Sequence, residues 1–248
     1  MSLIEAASVT VRYPSGCLAL ADASLSIAPG QLVVVLGANG SGKSTLLRCI
    51  AGMLRPSSGH VQVAGQRITD LSGRGLADAR MALGMVFQQP HLIRRRSVLS
   101  NVLTGTLGRH RGPLASLGRL PRCEVPLALN CLDQVGLRAF ASQRAGTLSG
   151  GQAQRVSIAR ALSQQPKALL ADEPVASLDP EAAEEVMRLL RRLSEKGGLA
   201  VLCVLHQPDL ARRYADRILG LNRGRLVFEG QPARIDRREI ASLYDAAA

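Results

Sequence analysis

QLVVVLGANGSGKST, residues 31–45, runs an apolar stretch rich in β-branched residues straight into a glycine-rich turn. Gly37 to Thr45 fits the Gly-x-x-x-x-Gly-Lys-Ser/Thr phosphate loop at every defined position. The run before it reads as a strand, and Lys43 to Ala51 reads as a helix that Gly52 ends. In such a loop the residues Gly37, Ala38, Asn39, Gly40, Ser41 and Gly42 let backbone N–H groups wrap phosphates at a helix N-terminus. Lys43 would then reach the β- and γ-phosphates, and Ser44 would hold Mg²⁺. Strand, loop and helix together predict an α/β fold.

A second glycine-rich stretch, TLSGGQAQR at Thr147 to Arg155, also leads into a helical pattern. Its paired glycines leave backbone donors open, so on chemistry alone both loops could grip one nucleotide from the same chain. Each motif occurs once, which argues against a tandem duplication. Outward from the first loop, SVTVRY, CLALADASLSI and HVQVAG read as strands. From about Gln89 to Thr147 the texture turns to Arg, Gly, Leu and Pro at helical spacing, which predicts a helical insertion.

Strands return with KALLADEP and LAVLCVLH, separated by a helix from Pro180 to Lys196. Asp179 can cap that helix, Glu181, Glu184 and Glu185 lie early in it, and Arg191, Arg192 and Lys196 lie late. Strand, helix, strand implies a right-handed parallel crossover. Ligands of such sheets bind beyond the carboxyl ends of the strands, so Gly37, Asp172 and His206 are expected to converge there. Adjacent carboxylates at a strand end repel unless a cation or a catalytic need compensates. Asp172 suits the Mg²⁺ shell, and Glu173 suits the base that polarises the attacking water.

His206 ends a buried strand, where an imidazole is more often structural than catalytic; its placement beside a phosphate loop favours the γ-phosphate. Gln88 follows the strand-like MALGMVF and could reach Mg²⁺ or water through its amide. Tyr13 reads first as packing, and second as a ring that stacks on adenine.

Composition narrows the partners. The 248 residues are 46% hydrophobic, enough for a full core. The apolar runs fall short of the roughly 20 residues of a membrane helix. MSLIEAASVT has an acidic residue where a signal peptide is basic, so a cytosolic location is expected. The net charge is +12, but three Tyr, three Phe and no Trp offer few bases a stacking surface. A membrane-surface or membrane-protein partner is therefore preferred over nucleic acid. The five cysteines form no Cys-x-x-Cys pair and are expected as buried thiols.

Gly37 to Thr45, Gln88, LSGGQ at 148–152, ALLADEP, SLD at 177–179 and His206, in this order and spacing, resemble the motif set of ABC-transporter ATP-binding subunits. The resemblance implies a phosphate-loop NTPase, RecA-like core with an antiparallel β subdomain and an α-helical subdomain. Residues 1–87 and 153–230 would form the core and β subdomain, 88–152 the helical subdomain, and 231–248 a tail. It implies ATP and Mg²⁺, and two copies closed head to tail. Ser149, Gly150, Gly151 and Gln152 of one copy would then meet the ATP on the phosphate loop of the other, with Asp179 at the same boundary.

It also implies permease subunits touched by the segment from Gln88 to about Gly108, a solute-binding protein, and a place on the cytoplasmic face of the inner membrane. VLTGTLGRHRGPLASLGRLP, DEPVASLDP and LHQPDLARRYADRILGLNRGRLVFEG resemble the narrower group of phosphonate importers. The stretch QQPHLIRRRSVLSNV departs from that group's pattern, outside the nucleotide motifs. Other readings are an importer ATPase for phosphate, phosphite or polar amino acids, a non-transport ABC ATPase, and a plain phosphate-loop kinase.

Overall fold

The computed structural model describes residues 2–110 and 121–245. Half of the phosphonate-type stretch VLTGTLGRHRGPLASLGRLP therefore lies outside the described residues. Strands β1 (Ile4–Arg12), β2 (Leu18–Ile27), β4 (Ser58–Val63) and β5 (Gln66–Arg67) form an antiparallel sheet in the order β2-β1-β4-β5. A second sheet has the order β10-β9-β3-β8-β7-β6. Its strands are β3 (Leu32–Leu36), β6 (Leu83–Val86), β7 (Ala168–Asp172), β8 (Ala200–Val204), β9 (Arg217–Asn222) and β10 (Arg225–Gly230).

All neighbours from β9 to β6 pair in parallel, and β10 returns antiparallel to β9. A parallel sheet has both faces covered, which is why LVVVL, ALLAD and AVLCV are apolar without alternation. Strand β3 divides the protein into two cores. Leu32, Val34 and Leu36 face helices α3 (Val98–Leu103), α4 (Val125–Gln134), α5 (Gly150–Ser163) and α6 (Pro180–Glu195). Val33 and Val35 face α1 (Lys43–Ile50), α2 (Gly73–Arg80) and the antiparallel sheet.

Helices α1 and α6 end within a residue of their expected limits, and Asp179 caps α6 by accepting from the Ala182 N–H at 2.9 Å. Within the stretch 89–147, the described residues 89–110 and 121–147 are less helical than the spacing suggests. Besides α3 and α4 these residues form turns and 3₁₀ segments, and the buried Asn101 is bonded into the turn before α3. The Asn101 amide accepts from the Ile93 N–H (2.7 Å) and donates to the carbonyls of Ile93 and Ser97 (3.2 and 3.0 Å), so side-chain bonds replace a helical ladder there.

One expectation needs correction. Cys49, Cys131 and Cys203 are buried, but Cys17 and Cys123 are exposed, with the Cys17 carbonyl accepting from the Tyr13 N–H in a turn. After α7 (Pro208–Tyr214) and the β9–β10 hairpin, the C-terminal segment forms α8 (Arg237–Asp245), whose Ile240 and Leu243 are buried. Among the described residues no helix is long and apolar enough to cross a membrane.

Candidate functional site at the carboxyl ends of β3, β7 and β8

The order β3-β8-β7 puts three chain exits side by side at one sheet edge. Gly37 follows β3, Asp172 ends β7, and His206 stands two residues beyond β8. The three predicted strand-end groups therefore do meet.

The loop between β3 and α1 is shaped by close backbone approach. A Cβ on Gly37 would lie 2.2 Å from the Leu221 carbonyl oxygen and 2.6 Å from Ser41 Oγ. Gly42 has φ 107° and would meet the Ala19 carbonyl oxygen at 2.4 Å. No other residue fits either position without moving β2 or β9. Helix α1 starts at Lys43 with no side-chain cap, so its first N–H groups are left to whatever occupies the loop. The Ser41 hydroxyl is buried and has no hydrogen-bond partner.

Lys43 is 5% exposed, and its Nζ donates to the Gly37 and Ala38 carbonyls, both at 2.9 Å. Burial lowers its pKa, opposed by the nearby charges of Glu173 and Asp172. Ser44 Oγ donates to Asp172 Oδ1 at 3.3 Å. The Asp172 carboxyl is pushed up by burial and then by the Glu173 charge, and drawn down by the Ser44 bond, Arg48 and Lys43.

Glu173 carries φ 49°, a left-handed conformation that costs a non-glycine residue about 1–2 kcal/mol. Its N–H donates to the Val204 carbonyl at 3.2 Å, which helps hold the turn. The carboxylate hydrogen-bonds His206 Nε2 through Oε1. That pairing orients one carboxylate oxygen.

A cleft of about 510 Å³ opens along the loop, lined by Asn39, Gly40, Gly42, Lys43, Ser44, Thr45 and Glu173 on one side and by Tyr13, Leu18 and Arg223 on the other. Tyr13 stands just past β1, and its hydroxyl shares a 3.2 Å hydrogen bond with Thr45 Oγ1. Gln88 lies exposed beyond β6 and does not line this cleft. Nor does Ser149: it caps α5, accepting from the Gln152 N–H at 3.3 Å while Gln152 Oε1 accepts from the Ser149 N–H at 3.0 Å. Gly151 packs on Ala182 of α6, just after Asp179. The signature glycines and Asp179 are thus neighbours, apart from the phosphate-loop cleft.

Two features were missed in the sequence. Gln154 Nε2 donates to the Phe87 carbonyl at 3.0 Å, and Arg160 donates to the carbonyls of Pro90 and His91 at 2.7 and 2.9 Å, so α5 grips the segment carrying Gln88. The spacing of Gln154 and Arg160 on one helix was visible, but their partners were not. Tyr244 of α8 donates to the His206 carbonyl at 3.4 Å, a long-range contact with no local signal.

The parallel sheet, the glycine loop and the acidic strand end define a phosphate-loop NTPase fold. The ABC transporter family model matches residues 20–176, and the chain belongs to that family. Within it, the chain is 48% identical to "Phosphonates import ATP-binding protein PhnC 3" of Nostoc sp. over 99% of this chain and 93% of the relative. "Phosphonates import ATP-binding protein PhnC" of Thiobacillus denitrificans is 48% identical over 98% of this chain and 93% of the relative. Among solved structures, the dimeric post-hydrolysis state of the ATP-binding cassette MJ0796 with ADP and Pi is 35% identical, covers 92% of this chain and 98% of its own, and has a TM-score of 0.78. The ADP conformation of the cassette MJ1267 is 27% identical, covers 99% of both chains, and has a TM-score of 0.87.

Proposed function

We propose that this chain is the ATP-binding and ATP-hydrolysing subunit that energises an importer of phosphonates. The observation that carries the hydrolytic part is the Glu173–His206 pair poised beside a phosphate loop whose helix entrance is uncapped. The solute assignment rests on the similarity to phosphonate import proteins over nearly the whole chain.

The residues fit a bound nucleotide with Mg²⁺. The orphaned Ser41 hydroxyl, the cradle that a Cβ on Gly37 would fill, and the Ser44–Asp172 contact are the supporting features. Ser44 and Asp172 would hold the metal, which when bound would supply positive charge against the phosphate oxygens, and Gln88 would join them only by swinging in from beyond β6. Backbone donors from Gly37 through Thr45 bind the phosphates, with Lys43 leaving its loop carbonyls for the β- and γ-oxygens. Tyr13 offers its ring to the base. Glu173 takes the proton of the attacking water, and His206 orients Glu173 and faces the γ-phosphate.

Residues 1–87 with 153–230, residues 88–152, and residues 231–248 serve as core with β subdomain, helical subdomain and C-terminal segment. Two copies close head to tail, so that Ser149, Gly150, Gly151, Gln152 and Asp179 of one complete the site of the other. ATP favours the closed dimer because it binds that state better. The segment 88–108 contacts a membrane permease at the cytoplasmic face, and a solute-binding protein delivers the phosphonate. A groove of about 330 Å³ where Met53, Met81 and Met85 meet Thr104 and Gly105 supports that contact, because unbranched thioethers adapt to a docked helix.

Deletion and complementation test the assignment. Growth and uptake on an alkylphosphonate are lost on deletion and restored by this chain, but not by its Lys43→Ala variant. Unchanged phosphonate uptake with lost uptake of phosphite or an amino acid would move the solute and leave the ATPase in place.

A further inference from the structure

Nothing in residues 231–248 matches a nucleotide motif, yet the fold brings one of their side chains to the site. The entrance of α8 is closed by Asp236 and Glu239: the Asp236 N–H donates to the Glu239 carboxylate and the Arg238 N–H to the Asp236 carboxylate, both at 2.9 Å. Ile240 and Leu243 are 3% and 1% exposed and share the core that contains Leu36 and Leu205. Arg212 of α7 donates to the Ile235 carbonyl at 2.9 Å and ties down the approach to the helix.

This anchoring fixes Tyr244, whose hydroxyl donates to the His206 carbonyl at 3.4 Å. Burial raises the Tyr244 pKa, and the Gly37 backbone draws it down. The phenol thus bonds the backbone of the histidine that pairs with Glu173. A ring alone would satisfy the packing; the hydroxyl adds a bond that links α8 to the segment after β8.

We propose that Tyr244 is a positioning residue: its hydroxyl holds the His206 backbone in place, so that the aim of His206 at Glu173 depends on the docked C-terminal helix. This rests on the reading of His206 and Glu173 given above. A loosened support lets a catalytic group drift from its productive geometry while substrate still binds.

The test is Tyr244→Phe, which removes only the oxygen. The turnover number falls roughly three- to tenfold, the size of one lost hydrogen bond, while KM for ATP and Tm stay as in the parent. In a His206→Ala background the same change has no further effect, because the two act in series. The chain has four histidines, so imidazole resonances are separable; that of His206 moves in Tyr244→Phe, and those of His60, His91 and His110 do not. An unaltered turnover number, or an equal loss with and without His206, overturns the proposal. If His206→Ala alone leaves turnover intact, the reading of His206 fails instead, which the single variants distinguish.

Discussion

Gly37–Thr45 and Thr147–Gln152 both lead glycines into a helix, yet they differ in what their backbone donors have left to give. At the first, Gly42 precedes α1 with no side-chain cap and lines a cleft, and Ser41 carries an orphaned buried hydroxyl. At the second, Ser149 and Gln152 close a reciprocal capping box, and Gly151 is needed to approach Ala182. Glycine serves ligand approach in one loop and helix packing in the other. The first loop is a binding cradle within its own chain. The second is an exposed helix entrance with its outermost donors partly spent and apart from that cleft, and the proposed function gives it to a partner's nucleotide.

Breaking the cradle side has the largest expected effect. Glu173→Gln keeps the contact to His206 but cannot take a proton, so steady-state phosphate release falls roughly 10²–10⁴-fold while ATP still binds. The trapped ATP holds the variant as a dimer on size-exclusion chromatography. A rate near the parent's would remove Glu173 as the base. Breaking the other entrance separates the two functions: Ser149→Arg abolishes hydrolysis yet leaves ATP affinity of the isolated subunit within about threefold, since its cap lies off the cleft. Equal loss of binding would put the signature on its own chain's nucleotide.

Smaller effects sharpen the packing and charge arguments. Gly151→Val forces a side chain against Ala182, where even a Cβ would sit 2.8 Å from the Ala182 Cβ, and lowers Tm by about 2–4 °C per kcal/mol of overpacking. Asp172→Asn raises the Tm of the nucleotide-free protein at neutral pH. Its folded pKa is raised by burial and the Glu173 charge, so the folded state binds the proton more tightly than the unfolded chain. The carboxylate's stability cost is absent below the ordinary carboxylate pKa, grows as pH rises through the raised value, and stays constant above it. The Asn variant's advantage must therefore vanish in acid. An advantage that persists there would point to packing instead of charge.

The legible parts of the molecule are those written in local spacing. Gly37 to Ser44 and Asp179-Pro180 announce their loop and helix entrances within a few residues, and the continuous apolar runs announce a parallel sheet. Ser149-Gly-Gly-Gln is equally local, but its paired glycines suggest a phosphate turn, and the capping box that Ser149 and Gln152 form shares the same serine and glycine signal. The β9–β10 hairpin escaped notice because its turn uses Arg223 and Gly224, at φ 46° and 79°, where Asn-Gly or Asp-Gly would have signalled it. Tyr244 and the Gln154–Phe87 contact are set by tertiary packing across 38 and 67 residues, so no local pattern contains them. Asn101 shows the converse: apolar spacing suggested helix, and one buried amide bonded a turn in its place.

The central claim is that one ATP is served by the cradle of one chain and the signature entrance of another. Mixing Lys43→Ala protein with Ser149→Arg protein tests it most directly. Each is inactive alone, but a mixed dimer contains one site with an intact cradle facing an intact signature. Phosphate release from the mixture should exceed the sum of the two separate proteins and peak near equal amounts. A mixture no more active than that sum, at concentrations where mixed dimers are demonstrated, would contradict the account.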